Sequence, residues 1–244
     1  MRKIKLFCLP YAGGTAYSYL KWKEGLADFI ELCPIELAGR GKRFNEPFYA
    51  NIDDVVDDVY KQIKDDIGNT TYAIFGHSMG SIILYELYFK IMELNYNLPI
   101  HLFISGRKAP DIYNNNEITY NLPQDKFIEK ILKYGGTPKG VLDNKELADL
   151  FIPLLRADFK IVETYKYIRK DRTLNANVTV MYGEEDGFTY GDIDSWTKHV
   201  SGKYRVHTFE GGHFFIYGDM YNVTKVINET LREELDNKLK INNS

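Results

Sequence analysis

Ser78 lies within Gly76-His77-Ser78-Met79-Gly80, the G-x-S-x-G pattern of a serine held on a sharp strand-to-helix turn. A neutral serine hydroxyl is a poor nucleophile until a base lies within hydrogen-bond reach. Tyr72-Ala73-Ile74-Phe75 before the pentapeptide reads as a buried strand, and Ile82-Ile83-Leu84-Tyr85 after it as a helix. That context predicts an elbow which lifts the Ser78 hydroxyl above the end of a sheet. The glycines keep the turn free of side chains that would clash with neighbouring backbone, and the helix N-terminus behind Ser78 favours developing negative charge.

The base must be one of five histidines. His77 adjoins the serine and is expected to project elsewhere from the elbow. His101 opens a strand, His199 reads as a surface residue of an amphipathic helix, and His207 lies inside the last strand. His213 follows that strand in Glu210-Gly211-Gly212-His213-Phe214, a glycine loop able to carry a side chain to the catalytic edge. The chain order Ser, then Asp or Glu, then His places the orienting acid between Ser78 and His213. Val178-Thr179-Val180-Met181-Tyr182 is a strand, and Gly183-Glu184-Glu185-Asp186-Gly187 is its loop. Asp186 leads, with Glu184 and Glu185 as near rivals and Asp111 as a distant one. An oxyanion needs two backbone N–H donors. Met79, after the nucleophile, supplies one, and the loop Pro10-Tyr11-Ala12-Gly13-Gly14 after the first strand supplies the other, though not from Pro10, which has no N–H.

These residues need a scaffold. Short apolar runs alternate with helical patterns, which predicts a mostly parallel sheet flanked by helices, the α/β-hydrolase fold, in one domain. Strands are expected over 5–9, 31–37, 71–75, 100–105, 177–182 and 203–209, and helices over 17–30, 52–67, 78–93 and 221–239. The acidic residues Asp53, Asp54, Asp57 and Asp58 read as a solvated helix face. From 122 to 167 the patterns are helical without a strand, punctuated by Pro123, Gly135-Gly136, Pro138, Gly140 and Pro153. Such an insertion forms a lid, with those glycines as hinges. Its Lys126, Lys130, Lys133, Lys139 and Lys145 read either as a solvated face or as docking charges. The tail 238–244 is expected to fray.

Composition narrows the class. With 44% hydrophobic residues in 244, the chain can bury a large core. A net charge of −3 gives no basic footprint for nucleic acid, and no apolar run approaches membrane-spanning length. The charged start, Met1 to Lys5, is followed by too short an apolar stretch for a signal peptide. Cytoplasmic placement is expected. Cys8 and Cys33 read as buried thiols, not as a disulfide framework.

The whole chain resembles the type II thioesterases of nonribosomal peptide and polyketide synthesis. The resemblance rests on several blocks together: 7–14 (Phe-Cys-Leu-Pro-Tyr-Ala-Gly-Gly), 36–43 (Glu-Leu-Ala-Gly-Arg-Gly-Lys-Arg), 76–80, 105–110 (Ser-Gly-Arg-Lys-Ala-Pro), 134–138, 155–158 (Leu-Arg-Ala-Asp), 183–186 and 211–214. It implies the triad Ser78, Asp186 and His213 and oxyanion donors at Ala12 and Met79. It also implies hydrolysis of acyl or aminoacyl thioesters from the phosphopantetheine arm of acyl- or peptidyl-carrier protein domains. The enzyme itself then needs no metal or cofactor, because the phosphopantetheine belongs to the carrier. Two positions depart from the family: Ala38 stands where proline is usual, and Ser81 where a small apolar residue is usual, which is expected to alter packing under the nucleophile. The rival readings are a carboxylesterase or lipase, an acyltransferase with the same triad, and a carrier-binding module without catalysis.

Overall fold

The computed structural model describes residues 3–112, 118–137 and 139–242. Six strands form one sheet among them: β1 (Ile4–Leu9), β2 (Ile30–Pro34), β3 (Tyr72–His77), β4 (His101–Ser105), β5 (Asn177–Gly183) and β6 (Tyr204–Phe209). Their order is β2-β1-β3-β4-β5-β6, and every adjacent pair is parallel. Parallel pairing fixes where chemistry belongs, since ligands of open α/β sheets bind outside the carboxyl ends of the strands.

Period-two alternation divides the strand residues between two faces. Phe7, Leu9, Ile74, Leu102, Ile104, Val178 and Val180 pack with α1 (Ile52–Ile67) and α2 (Met79–Glu93). Leu6, Cys8, Ala73, Phe75, Phe103 and Met181 pack on the other face, with Trp22 and with Val223, Ile227 and Leu231 of the long C-terminal helix. Cys8 and Cys33 belong to opposite faces and are both free, so no redox pair forms. In α1 the buried residues are Val55, Val56, Val59, Ile63 and Ile67, and the Asn51 side chain caps its start by accepting from Asp54 N–H. One of the four aspartates departs from the solvated-face expectation. Asp58 is half-buried, accepting two bonds from Arg43 and one from the Tyr49 hydroxyl.

Two other expectations need correction. The helix expected over 17–30 is a 3₁₀ helix, Ala16–Glu24. Its buried residues, Tyr19 and Trp22, are three apart, which suits three residues per turn. The strand expected over 31–37 ends at Pro34, where the chain turns away to build the 36–43 segment described below.

Between β4 and β5 the described residues contain α3 (Gln124–Tyr134), α4 (Lys139–Asp143) and α5 (Lys145–Thr164) and no strand. They share a small core of Phe127, Ile131, Leu142, Ala148, Ile152 and Leu155. Pro138 lies outside the described residues, as does the Lys139 side chain. After β5 come α6 (Tyr190–Asp194), a 3₁₀ turn Ser195–His199, then β6, α7 (Phe215–Gly218) and α8 (Met220–Asn242). The tail expected to fray is helical to residue 242; residues 243 and 244 lie outside the described residues. No helix of the described residues is long and apolar enough to cross a membrane.

Candidate active site

The elbow is built by steric exclusion. A Cβ on Gly76 would lie 2.3 Å from the Gly80 carbonyl oxygen, and one on Gly80 would lie 2.3 Å from the Leu9 carbonyl oxygen. With both glycines the chain reverses within one turn, and Ser78 takes φ 53°, ψ −108°, a strained conformation for a residue with a side chain. Backbone bonds hold it there: Ser78 N–H donates to the Ser105 carbonyl of β4 at 2.8 Å. Ser81 adds to this brace, its hydroxyl lying 2.7 Å from the Gly76 carbonyl oxygen and 2.9 Å from that of Ser105. The departure at 81 therefore ties the elbow to the neighbouring strand.

His213 and Asp186 meet on adjoining loops. His213 Nδ1 lies 2.9 and 3.0 Å from the two Asp186 carboxylate oxygens, and the Asp186 side chain is 8% exposed. The loops are zipped by Glu184 N–H to Phe209 C=O and Glu185 N–H to Gly211 C=O. Gly183 makes the approach possible, since a Cβ there would lie 2.4 Å or less from the carbonyl oxygens of Gly211 and Gly212. Glu184 and Glu185 are exposed, and neither bonds His213. Asp111 is committed elsewhere, to His199 Nε2 at 2.8 Å. His199 is correspondingly buried, not the surface residue expected. The Ser78 hydroxyl makes no hydrogen bond among the described residues.

His77 is fully buried beneath the site, with its ring centroid 5.0 Å from that of His213 and Nδ1 2.8 Å from Ser105 Oγ. Burial pushes its pKa well below the usual imidazole range, and the neighbouring His213 adds to the effect. Burial likewise lowers His101. Such a histidine binds a proton when the chain unfolds. Its contribution to stability is fully present above the unfolded value of 6.5 and declines as the pH falls, by up to about 1.4 kcal/mol per pH unit for each group. Thermal unfolding between about pH 7 and pH 5.5 should show Tm falling with pH, and His77→Gln should flatten that slope. An unchanged slope contradicts the assignment.

Two backbone donors face no acceptor. Ala12 N–H has no hydrogen-bond partner among the described residues. Met79 opens α2, where the first N–H groups lack acceptors within the helix. The two segments touch, because the Gly80 Cβ position lies 3.0 Å from the Pro10 carbonyl oxygen.

The loop bearing Ala12 is clamped from the lid. Asp158 of α5 accepts from Gly13 N–H at 2.7 Å and from Arg40 Nη1 and Nη2 at 2.7 Å each. Arg40 Nη1 also donates to Gly14 C=O at 3.1 Å, and both charged side chains are 2% exposed. The 36–43 and 155–158 blocks thus meet on the loop 10–14 that bears Ala12. Removing one partner leaves a buried, uncompensated charge. Asp158→Asn should cost about 3–5 kcal/mol, on the order of 10 °C in Tm, measured by calorimetry. A shift of only about 1 °C would mean that the pair carries little of the loop's rigidity. Ala38 belongs to the same construction: its N–H donates to the Tyr49 hydroxyl at 2.9 Å, a bond that proline could not make.

This clamp ties α5 to the loop that follows β1. The glycines expected as hinges differ in their surroundings. Gly135 caps α3 in the left-handed conformation. Gly136 lies against the Phe214 ring, where a Cβ would come within 2.1 Å. Phe214, Tyr11 and Tyr217 form an aromatic wall beside His213, with Tyr11 and Tyr217 joined by a 2.7 Å hydroxyl contact. Of the lid lysines, Lys126 and Lys133 both pair with Glu129, which reduces the charge they offer a partner. A recess of about 500 Å³ between Ile100, Lys203 and Glu234 lies at the opposite ends of the strands, away from this machinery. No cluster of metal-ligating side chains occurs among the described residues.

Comparison with known proteins agrees with this architecture. The thioesterase domain model matches residues 4–232. The chain is 35% identical to the gramicidin S biosynthesis protein GrsT of Aneurinibacillus migulanus, over 97% of this chain and 92% of that protein. It is 33% identical to the medium-chain S-acyl fatty acid synthase thioesterase of Rattus norvegicus, over 87% and 81% respectively. The crystal structure of ClbQ from the colibactin NRPS/PKS pathway matches with a TM-score of 0.90 at 37% identity, covering 95% of this chain and 98% of that one. A parallel sheet with a serine elbow, a helical insertion between β4 and β5, and relatives along nearly its whole length place this chain in the thioesterase family, enzymes of α/β-hydrolase fold that hydrolyse thioesters.

Proposed function

We propose that this chain is a type II thioesterase of nonribosomal peptide or polyketide synthesis, which hydrolyses acyl or aminoacyl thioesters from the phosphopantetheine arm of carrier protein domains in the cytoplasm. The observation that carries the mechanism is the Asp186–His213 pair, at 2.9 and 3.0 Å, on loops locked beside the strained Ser78 elbow. The relatives named above support the pathway, since GrsT takes part in gramicidin S biosynthesis and ClbQ belongs to an NRPS/PKS pathway.

In this reading His213 Nε2 takes the Ser78 proton as Oγ attacks the thioester carbonyl. The N–H groups of Ala12 and Met79 stabilise the oxyanion. Asp186 holds Nδ1–H and so directs the free nitrogen at the serine. Collapse expels the pantetheine thiolate, which takes the proton from His213 and leaves an acyl-Ser78 ester. Water, deprotonated by the same nitrogen, attacks that ester; collapse breaks the acyl–Oγ bond, His213 returns the proton to Ser78 Oγ, and the acid is released. No metal or cofactor of the enzyme's own enters any step.

The test is a panel of acyl groups offered as carrier-bound thioesters, free thioesters and matched oxygen esters. Carrier-bound thioesters should give the highest kcat/KM, with free acid as the product. Faster turnover of oxygen esters would make it an esterase. Transfer of the acyl group to added amines or alcohols in place of water would make it a transferase.

A further inference from the structure

Two elements leave the catalytic edge side by side. The 3₁₀ helix Ala16–Glu24 follows the loop that bears Ala12, and α7 and α8 follow the loop of His213. α8 then runs towards the opposite end of the sheet, where Glu234 meets His101 at the start of β4. The seam between the two is fixed at both ends. At the catalytic end the Tyr11 hydroxyl lies 3.5 Å from Ser18 Oγ and 2.7 Å from the Tyr217 hydroxyl. Lower down, Asn228 accepts from Ala27 N–H at 2.9 Å and donates to Gly25 C=O at 2.8 Å, and a Cβ on Gly25 would lie 2.4 Å from Thr224 Oγ1. Three residues per turn put Lys21 on the line that begins at Ser18, with Tyr17 and Leu20 on the next line outwards. On α8, Tyr221 and Lys225 share a face with Thr224 and Asn228.

The described residues leave apolar surface uncovered along this seam. Tyr17 is 77% and Tyr221 73% exposed, with Leu20 and Tyr217 near half. One exposed apolar residue is ordinary, but a group of them marks an interaction surface, and tyrosine is enriched in interfaces. Charge accompanies it. Lys21 and Lys225 are exposed and make no ion pair among the described residues, Lys21 not even with Glu24 one turn on, in a chain whose net charge is −3. The lid differs on this point, since Lys126 and Lys133 share Glu129. The seam also leads to the chemistry. The Tyr217 ring stacks on that of Phe214 at 6.3 Å, and the Phe214 ring lies 5.1 Å from that of His213.

We propose that this seam is the docking surface for the carrier domain. Tyr17, Leu20 and Tyr221 cover apolar side chains of the carrier, and Lys21 and Lys225 take its carboxylates and the phosphodiester that joins the arm to it. The arm then passes Tyr217 and Phe214 to reach Ser78. The partner follows from the chemistry: the thioester must reach Ser78 while the phosphodiester stays at the carrier surface, so an anion has to lie at the rim of the catalytic edge. Here two rim cations have no carboxylate of the chain against them. The assignment rests on the thioesterase reading above and names where its partner sits.

The test compares hydrolysis of an acetyl-phosphopantetheinyl peptidyl carrier domain with that of S-acetyl-N-acetylcysteamine. Lys21→Glu with Lys225→Glu should lower kcat/KM on the carrier substrate by roughly tenfold at low salt and flatten its fall with ionic strength, because rim charges act on association. Tyr17→Ser with Tyr221→Ser should lower it by roughly tenfold as well. Both pairs should leave the free thioester within about twofold. Lys126→Glu with Lys133→Glu in the lid should cost less than about threefold on the carrier. No loss on the carrier, equal losses on carrier and free thioester, or a larger loss from the lid pair would overturn the assignment. A measurement on the wild-type enzyme covers the case of a misfolded variant. Carbodiimide coupling to the same carrier should join carrier carboxylates to Lys21 or Lys225, located by peptide mass spectrometry, and coupling that leaves both lysines unmodified overturns the surface. Failure to hydrolyse either substrate would overturn the thioesterase reading itself, whereas hydrolysis of both with unaffected variants removes only the docking surface.

Discussion

Ser78→Ala should reduce kcat by on the order of 10⁵–10⁶, the scale on which losing the nucleophile collapses a triad, while Tm stays within about 2 °C of the wild type. The two halves have separate physical grounds. Activity disappears because no other hydroxyl stands at the nucleophile position, that of Ser81 being held by the Gly76 and Ser105 carbonyls, and no acyl-enzyme forms without one. The fold persists because the Ser78 hydroxyl has no hydrogen-bond partner among the described residues, so its removal strands no polar group. The strained backbone, φ 53°, is equally strained for alanine, and the bracing bonds from Ser78 N–H and Ser81 Oγ remain. A fluorophosphonate probe should label the wild type and not the variant. Turnover near the wild-type rate in Ser78→Ala would remove the serine mechanism.

Asp186→Asn should lower kcat by about 10⁴, as replacing the orienting carboxylate does in a well-studied triad. Both carboxylate oxygens lie within 3.0 Å of His213 Nδ1. An amide in that place presents an N–H₂ donor or a single oxygen. The donor stabilises the tautomer whose proton sits on the other nitrogen, where the base function is lost. Asp111→Asn is the matched control, because Asp111 serves His199; its effect should fall on stability, with kcat changed by less than about threefold. If Asp111→Asn were the more damaging substitution for turnover, Asp186 would not be the orienting acid.

Local chemistry was legible in the sequence, and distant pairing was not. The elbow could be read because its glycines, strand and helix fall within about twenty consecutive residues, and the loops of Asp186 and His213 because each follows a recognisable strand. The parallel sheet followed from alternating apolar runs. Helix type at 16–24 was misread because an apolar spacing of three fits the start of an α-helix as well as a 3₁₀ helix. The clamp on the loop bearing Ala12 was invisible: Arg40 and Asp158 are 118 positions apart, and one sequence gives no way to pair them. His199 looked exposed for the same reason, since Asp111 is 88 positions away. That Gly106 and His213 pack against His77 was equally hidden, since both are distant in sequence.

The most direct measurement is intact-protein mass spectrometry of enzyme quenched within its first turnovers of an acyl-phosphopantetheinyl carrier protein, followed by peptide mapping. Wild-type enzyme should carry a transient adduct of the acyl mass on Ser78, appearing as free carrier thiol is released and decaying to free acid, and Asp186→Asn should form it far more slowly. Acid release with no adduct under any quench, or an adduct mapped to a residue other than Ser78, would contradict the account.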